Sequence, residues 1–580
     1  MHVIATAGHV DHGKSALLRA LTGMEPDRWE EERRRGLTID LGFVWTDGDH
    51  GELAFVDVPG HERFVGNMLA GVGPVPAVLF VVAADEGWMP QSAEHLVALH
   101  ALGVRHGVLA ITKTDVMEPD LAAEEALEQL AATSLGDVPW VGVSARTGDG
   151  LPELRRALDD LVHRLPDGDP AAPVRLWIDR RFTIRGAGMV VTGTLAAGTV
   201  HIGDTLELAR TGDRYVIREI QTLNRHAAQA SGVARVALNL RGPGRTDLVR
   251  GDALATPGTY RCTDRTDARL TLCDPAELPR ELLVHVGAAT VTAAVKPVGP
   301  DTARLTLSEP LPLRVGDRVV LRTDRGIAGG AILLDVDPSA LNRRGATRRR
   351  ADELTSYPDS PDPLGELRRR GIVRQRDLST IGVEPPVPPL VADWLVAPEL
   401  EKELRDQLAE MVRQRAGDAS AAPLQVEEAR KVLGLPDVRL VPVLVDKPMT
   451  IRDGVILPAE TADTLAAAVR DSLAAAERLY EGFCVPTEEE LALLGLGGAQ
   501  VAAAVRAGRL VRLAPGIVVL PSAVEHAVFV LARLDQPFTA AQARDALGSS
   551  RKVIVPLLEY LAAQGRTRRD REGNHRVIES

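Results

Sequence analysis

The chain has only three cysteines in 580 residues, Cys262, Cys273 and Cys484, too few and too scattered for a disulfide framework or a four-ligand zinc site. Its 14 histidines show no metal-ligand spacing either. Aromatic residues make up 3% of the chain, so platforms that stack successive unpaired bases are scarce; any RNA bound is expected to be structured and gripped by its backbone. No run of about 18 apolar residues occurs, which argues against a transmembrane helix. The N-terminus, MHVIATAGHVDHGKS, lacks the basic, apolar and small-residue sections of a signal peptide, and a cytoplasmic protein without a membrane partner is expected. There is no positive excess: 68 Lys and Arg stand against 80 Asp and Glu, a net charge of −12, which opposes blanket adhesion to nucleic acid or anionic lipid. RNA contact must use local basic patches.

What is present is ordinary globular material. With 45% apolar and 26% charged residues, several buried cores can form and wholesale disorder is excluded. The length of 580 residues suits roughly four to six domains. At the start, β-branched runs (His2–Ala7, Leu53–Val58, Ala77–Ala83, Gly107–Thr112, Pro139–Val143) alternate with Ala/Leu-rich stretches such as Gln91–Leu102 and Glu153–Leu165, the order of βαβ units and a mainly parallel sheet. From Val174 to about Asp337, short strands broken by glycine turns follow one another without helices, as in β-barrels; one is expected before about Pro257 and one after it. A basic stretch, Asn342–Arg350, follows, which reads either as a solvated linker or as a contact for structured RNA. The remainder repeats helix, turn, helix and strand pair. Its clearest unit has helices at Thr539–Leu547 and Lys552–Gln564 around the turn Gly548-Ser549-Ser550, then a hairpin: a winged helix, although a helical adaptor would show the same spacing. The expected fold class is therefore multidomain: an α/β domain (1–170), two β-barrels (171–258 and 259–340), a linker with inner winged helices (341–470), and C-terminal α+β winged-helix domains (471–580).

Gly8-His9-Val10-Asp11-His12-Gly13-Lys14-Ser15 matches G-x-x-x-x-G-K-[ST] between a strand and the helix Ala16–Leu21. Its glycines let backbone N–H groups point into phosphates, which the helix N-terminus also favours. Lys14 is expected to reach the β- and γ-phosphates and Ser15 to ligate Mg²⁺. Four further elements define the nucleotide. Gly36-Leu37-Thr38-Ile39-Asp40 offers Thr38 as a second hydroxyl ligand for the metal. Asp57-Val58-Pro59-Gly60-His61-Glu62 ends an apolar strand, so Asp57 can hold the metal through a water and the Gly60 N–H can sense the γ-phosphate. Thr112-Lys113-Thr114-Asp115 places a carboxylate, Asp115, that can accept from the guanine ring N–H and exocyclic amine. Ser144-Ala145-Arg146 can offer a backbone N–H to the guanine carbonyl. Adenine lacks that donor pattern, so GTP is favoured.

In this order and on strand ends, these motifs resemble the translational GTPases of the elongation factor Tu type, and GHVDHGK, RGLTID and DVPGHE are their most specific stretches. The resemblance covers Met1 to about Asp337. It implies GTP and GDP as ligands, Mg²⁺, the ribosome as activating partner, and His61 as the residue that orients the attacking water, with Lys14 stabilising charge. The continuation into winged helices, Thr112 in place of the usual Asn, and Asp179-Arg180-Arg181-Phe182-Thr183-Ile184-Arg185-Gly186-Ala187-Gly188 further resemble the SelB family of bacterial selenocysteine-specific elongation factors. That implies a monomer delivering selenocysteinyl-tRNA to the ribosome at UGA codons marked by an mRNA hairpin. A selenol is more acidic than a thiol, whose ordinary pKa is about 8.5, so its pocket should present cations: Arg180 and Arg235, with Asp179 holding an arginine in place.

At the far end, Ser549, Ser550, Arg551 and Lys552 open the expected recognition helix, and Arg566, Arg568, Arg569 and Arg571 crowd the hairpin after it. Such groups bind phosphates and flank an RNA groove. Two rival readings share these features: another translational or ribosome-assembly GTPase whose winged helices bind ribosomal RNA, and a GTP-dependent regulator whose winged helices bind DNA.

Overall fold

Two kinds of texture in the chain become two compact units, Met1–Pro363 with Arg376–Glu384, and Leu364–Gln375 with Pro385–Ser580. The structure, a computed structural model, describes residues 1–26, 38, 40–73, 75–166, 168–184, 188–243, 248–417, 422–458, 467–570 and 573–578.

The first unit opens with a six-stranded sheet in the order β2-β3-β1-β4-β5-β6. Its strands are β1 (His2–Ala7), β2 (Gly42–Gly48), β3 (Gly51–Asp57), β4 (Ala77–Ala83), β5 (His106–Thr112) and β6 (Trp140–Gly142). All neighbours pair in parallel except β2, which turns back on β3 as an antiparallel edge. The expectation of a mainly parallel sheet left β2 out. The strand comes from the alternation Phe43, Val44, Trp45 and a tight return at Gly48–Gly51, which a hairpin reading of that stretch would have found. β4 is buried along its whole length, because helices cover both faces, and its continuous apolar run AVLFVVA is what such a strand requires. Helices α1 (Lys14–Thr22) and α5 (Leu151–His163) lie on one face and α2 (Val65–Val72), α3 (Pro90–Leu102) and α4 (Asp120–Ala131) on the other. Leu17, Leu18, Leu154 and Leu158 fill the first layer, and Met68, Leu99 and Leu130 the second; each such side chain contributes about 2 kcal/mol by burial. The parallel strands β1, β3 and β5 end at Ala7, Asp57 and Thr112, on the edge where open α/β sheets bind ligands.

The next layer is all β. An antiparallel sheet runs from Arg175–Trp177 through Ala253–Ala255, Thr205–Leu208, Arg214–Thr222, Ala234–Arg241 and Gly188–Leu195 to Arg180–Ile184. Its two end strands are consecutive in the chain. At the corner between them, Ile178 N–H donates to the Asp252 carbonyl and Asp179 N–H to that of Thr192, so one bent strand changes partner and closes the first barrel around Leu176, Tyr215, Leu238 and Leu254. The second barrel closes by hydrogen bonding alone, with six strands between Cys262–Thr271 and Gly326–Asp335.

The basic stretch after it is a correction to the linker reading. It leads into a helix, α6 (Ala346–Thr355), and Arg350 is buried against the second barrel, bonded to Asp267 (2.7 Å), to Asp335 and to the Tyr357 hydroxyl (3.1 Å). A buried carboxylate such as Asp267, also held by Arg304 at 2.7 and 2.9 Å, requires such partners.

The second unit repeats the pattern of helices followed by a strand pair. One repeat holds Pro398–Gly417, Val426–Val432, Leu440–Leu444 and the pair Met449–Arg452/Val455–Pro458. The next holds Ala467–Leu479, Glu488–Leu493, Gly498–Arg506 and Val511–Ala514/Ile517–Val519. The last holds Pro521–Ala532, Ala540–Ala546, Arg551–Ala563 and Thr567–Arg569/His575–Val577. Local sequence starts these helices: Thr487 with Glu490 and Thr539 with Gln542 form reciprocal capping boxes, each cap worth about 1 kcal/mol. No helix among the described residues is long and apolar enough to cross a membrane.

Candidate functional site

The loop between β1 and α1 has the backbone that its glycines permit. Gly8 and Gly13 sit at φ 132° and 81°, and a Cβ on Gly8 would lie 2.1 Å from the Val81 carbonyl oxygen. Lys14 is buried and its ammonium donates to the carbonyls of Gly8 (3.0 Å) and His9 (2.7 Å); burial lowers its pKa to about 8. The carbonyl contacts hold the ammonium over the loop where phosphates would replace them as partners. Gly60, from the loop after β3, reaches so close that a Cβ there would meet the Val10 nitrogen at 2.6 Å and Lys14 Nζ at 2.7 Å. Only glycine lets this backbone N–H approach the phosphate loop.

Three oxygens meet beside the loop. Ser15 Oγ donates to Asp57 Oδ2 (2.6 Å) and lies 3.0 Å from Thr38 Oγ1, while Thr6 Oγ1 fixes the other Asp57 oxygen at 2.9 Å. An all-oxygen set with one carboxylate suits a hard divalent ion such as Mg²⁺. Gly36, Leu37 and Ile39 of that stretch lie outside the described residues. His61 follows Gly60, with Nδ1 accepting from the Arg63 N–H (3.2 Å) and the ring edge-on to Phe64.

The base side forms a groove of about 480 Å³ lined by Gly13, Thr112, Lys113, Asp115, Ala145 and Arg146 among others. Asp115 accepts from Ser144 Oγ (2.6 Å) and Arg146 Nε (2.7 Å), and the Ser144 bond leads in holding its carboxyl below the usual range. Lys113 pairs with Asp85 and Glu86. Thr112, standing where an amide would be expected, donates its hydroxyl to the His12 carbonyl at 2.7 Å, which ties the base-reading loop to the phosphate loop. His12 itself is buried, its ring nitrogen 3.3 Å from the Val81 carbonyl, and burial lowers its pKa to about 4.

Motif reading missed Gln91 and His95 on α3. The Val10 N–H donates to Gln91 Oε1 (3.0 Å) and the Gly8 N–H to His95 Nδ1 (3.1 Å). His95 is fully enclosed, its pKa lowered to about 3 by burial, so the imidazole stays neutral and keeps an acceptor lone pair. These residues stand more than 80 positions from the loop in sequence, and only the β1–β4 pairing brings α3 beneath it.

A separate cavity of about 130 Å³ lies between β2, β3 and the first barrel, lined by Phe43, Trp45, Arg180, Phe182, Thr192 and Arg235 among others. Asp179 holds Arg235 through both oxygens, one at 2.7 Å, and the Arg235 guanidinium sits 3.8 Å above the Phe43 ring. Arg180 is placed differently, donating to Asp40 Oδ2 (2.7 Å) and the Leu41 carbonyl (3.1 Å). It thereby ties the barrel to the segment that carries Thr38. Arg185, Gly186 and Ala187 lie outside the described residues.

In the last winged helix, Ser550 is the N-cap residue of Arg551–Ala563, and Arg551 and Lys552 are exposed at its start; Ser549 precedes them. Arg568 and Arg569 stand exposed on the strand Thr567–Arg569. Arg566 points elsewhere, paired through both guanidinium nitrogens with Glu525. Arg571 lies outside the described residues. The corresponding helices of the two preceding repeats start without such cations: Arg439 is paired with Asp437 before Leu440–Leu444, and Gly497, Gly498 and Ala499 open Gly498–Arg506.

Residues 1–164 match the elongation factor Tu GTP binding domain family, and residues 530–578 match the elongation factor SelB winged helix family. The selenocysteine-specific elongation factor of Desulfomicrobium baculatum is 38% identical over 350 residues, which cover 57% of this chain and 55% of that one; the chain spans about half the length of this relative. Elongation factor Tu 2 of Streptomyces avermitilis is 31% identical over 375 residues, 58% of this chain and 96% of that one. The crystal structure of a bacterial selenocysteine-specific elongation factor, EF-Sec, matches at a TM-score of 0.69 and 25% identity, covering 100% of both chains.

Proposed function

Because the chain belongs to the elongation factor Tu family of translational GTPases, we propose that it hydrolyses GTP in order to deliver selenocysteinyl-tRNA to the ribosome at UGA codons followed by an mRNA hairpin. The observation that carries this reading is the pairing, in one chain, of the nucleotide site with a last winged helix of the SelB type that exposes two cations, Arg551 and Lys552, at the start of its recognition helix.

For the GTPase step, the N–H groups of Asp11, His12 and Gly13 and the helix N-terminus of α1 bind the phosphates, while those of Gly8 and Val10 are held by His95 and Gln91, and Lys14 neutralises charge on the β- and γ-oxygens. Asp115 reads the guanine donors and Ala145 or Arg146 N–H its carbonyl. Ser15 and Thr38 would hold Mg²⁺, with Asp57 acting through a water, and the ion would supply neutralisation of phosphate charge. Gly60 senses the γ-phosphate through its N–H, and His61 orients the attacking water once the ribosome positions this loop. Hydrolysis then serves as a timing switch. For selectivity, Arg235, held by Asp179 over Phe43, gives the cavity a fixed cation. A selenolate gains a charge-assisted hydrogen bond there that a serine hydroxyl does not. At the other end, Ser549, Ser550, Arg551, Lys552, Arg568 and Arg569 grip the hairpin backbone.

The test is protection of the aminoacyl ester bond in the presence of a GTP analogue, with one transfer RNA carrying either selenocysteine or serine. Selenocysteine should be protected at least tenfold better, and Arg235→Ala should remove most of that margin. Equal protection of both would overturn the assignment.

A further inference from the structure

The run Asn342–Arg350 holds five arginines and no acidic residue, and the fold divides them. Arg350 turns inward to Asp267 and Asp335, and Leu354 and Tyr357, on the same face of the chain, pack with Val298 and Leu334 of the barrel. With that face fixed, Arg343, Arg344, Arg348 and Arg349 are left exposed, and none of the four meets a carboxylate among the described residues. The start of α6 adds to their field. Its first turn carries no acid and Gly345, at the N-cap with φ 76°, offers no side chain, so the partial positive charge of the helix end is uncompensated. This is a concentrated positive site on a chain of net charge −12.

We propose that this outward face of α6 is a second RNA contact, which grips backbone phosphates on the double-helical body of the transfer RNA, away from its aminoacyl end. The proposal rests on the delivery reading above. Planar guanidinium groups suit phosphate oxygens. Among the described residues between Leu272 and Val432 no large apolar side chain is exposed, so α6 and the chain segments flanking it offer none of the apolar anchors that a protein partner would use. The site lies in the unit that contains the nucleotide loop and the Arg235 cavity, whereas the hairpin-binding helix is in the other unit; the RNA engaged by the first unit is the transfer RNA.

The experiment uses the full chain with all four arginines changed, Arg343→Gln, Arg344→Gln, Arg348→Gln and Arg349→Gln, and Arg350 retained. Affinities for charged transfer RNA with a GTP analogue, for the mRNA hairpin and for GTP are measured across a salt series. Transfer RNA affinity should fall at least tenfold, with a log–log salt slope shallower by about 0.9 for each duplex phosphate that is no longer neutralised, while hairpin and GTP affinities stay within twofold. Unchanged transfer RNA affinity and slope would overturn the proposal, as would an equal weakening for the hairpin. A failure of the delivery reading shows instead in the unsubstituted chain, as no binding of charged transfer RNA at all.

Discussion

Single residues of the nucleotide site were legible because their chemistry is local: a loop with Gly8, Gly13, Lys14 and Ser15 needs no tertiary partner to be recognised. Asp115 belongs to this class, and Asp115→Asn should weaken GTP and admit xanthosine triphosphate, whose ring presents a carbonyl where guanine has an amine. Competition binding with the two nucleotides checks this, and unchanged GTP affinity would remove Asp115 from the site. Thr112 was legible as a departure from the usual amide, but its partner was not, since the His12 carbonyl is 100 positions away. Thr112→Val keeps the shape and removes the hydroxyl. The stranded carbonyl should cost about 1–3 kcal/mol, read as a lower unfolding midpoint in denaturant. Gln91 and His95 were invisible for the same reason in stronger form: nothing in a helix interior advertises that two side chains accept from loop N–H groups. Gln91→Ala should weaken GTP binding by about threefold to tenfold, the equivalent of one neutral hydrogen bond removed.

At the scale of elements, period and capping signals were read with small offsets. Thr539 reads as the first helical residue in sequence and is the N-cap in the structure, because its side chain satisfies the Gln542 N–H instead of continuing the helix. The basic stretch after the second barrel was misread as a possible linker because charge runs are usually solvated, and only the fold shows that Asp267 and Asp335 wait beneath one of its arginines. Arg350→Ala would leave both carboxylates buried with less compensation, and should destabilise the first unit by about 3–5 kcal/mol. Substituting Arg348 or Arg349 by Gln should change it by less than about 0.5 kcal/mol. Urea unfolding of the three variants separates the inward arginine from its outward neighbours, and equal effects would show that α6 is not held by Arg350.

For the whole molecule, the division into nucleotide domain, barrels and winged helices followed from where β-branched runs, glycine turns and helical stretches succeed one another, whereas the junctions of packed parts did not. Three histidines buried at such places, His12, His95 and His285, have pKa values lowered by burial to about 4, 3 and 4. The unfolded chain, with histidine near 6.5, binds more protons than the folded one below that pH, so stability is held above pH 6.5 and lost as pH falls toward 4. Each histidine contributes a loss of up to about 1.4 kcal/mol per pH unit in that window. Melting of His285→Gln should therefore depend less steeply on pH between 6.5 and 4 than melting of the parent chain. The account as a whole rests on delivery at a marked codon, which is measured most directly in a translation reaction that contains selenocysteinyl-tRNA and a message with an in-frame UGA. Selenocysteine incorporation should require this chain, GTP and the downstream hairpin together, and Arg551→Ala with Lys552→Ala should reduce it while leaving GTP affinity unchanged. Incorporation that proceeds equally well without the hairpin, or none with every component present, would contradict it.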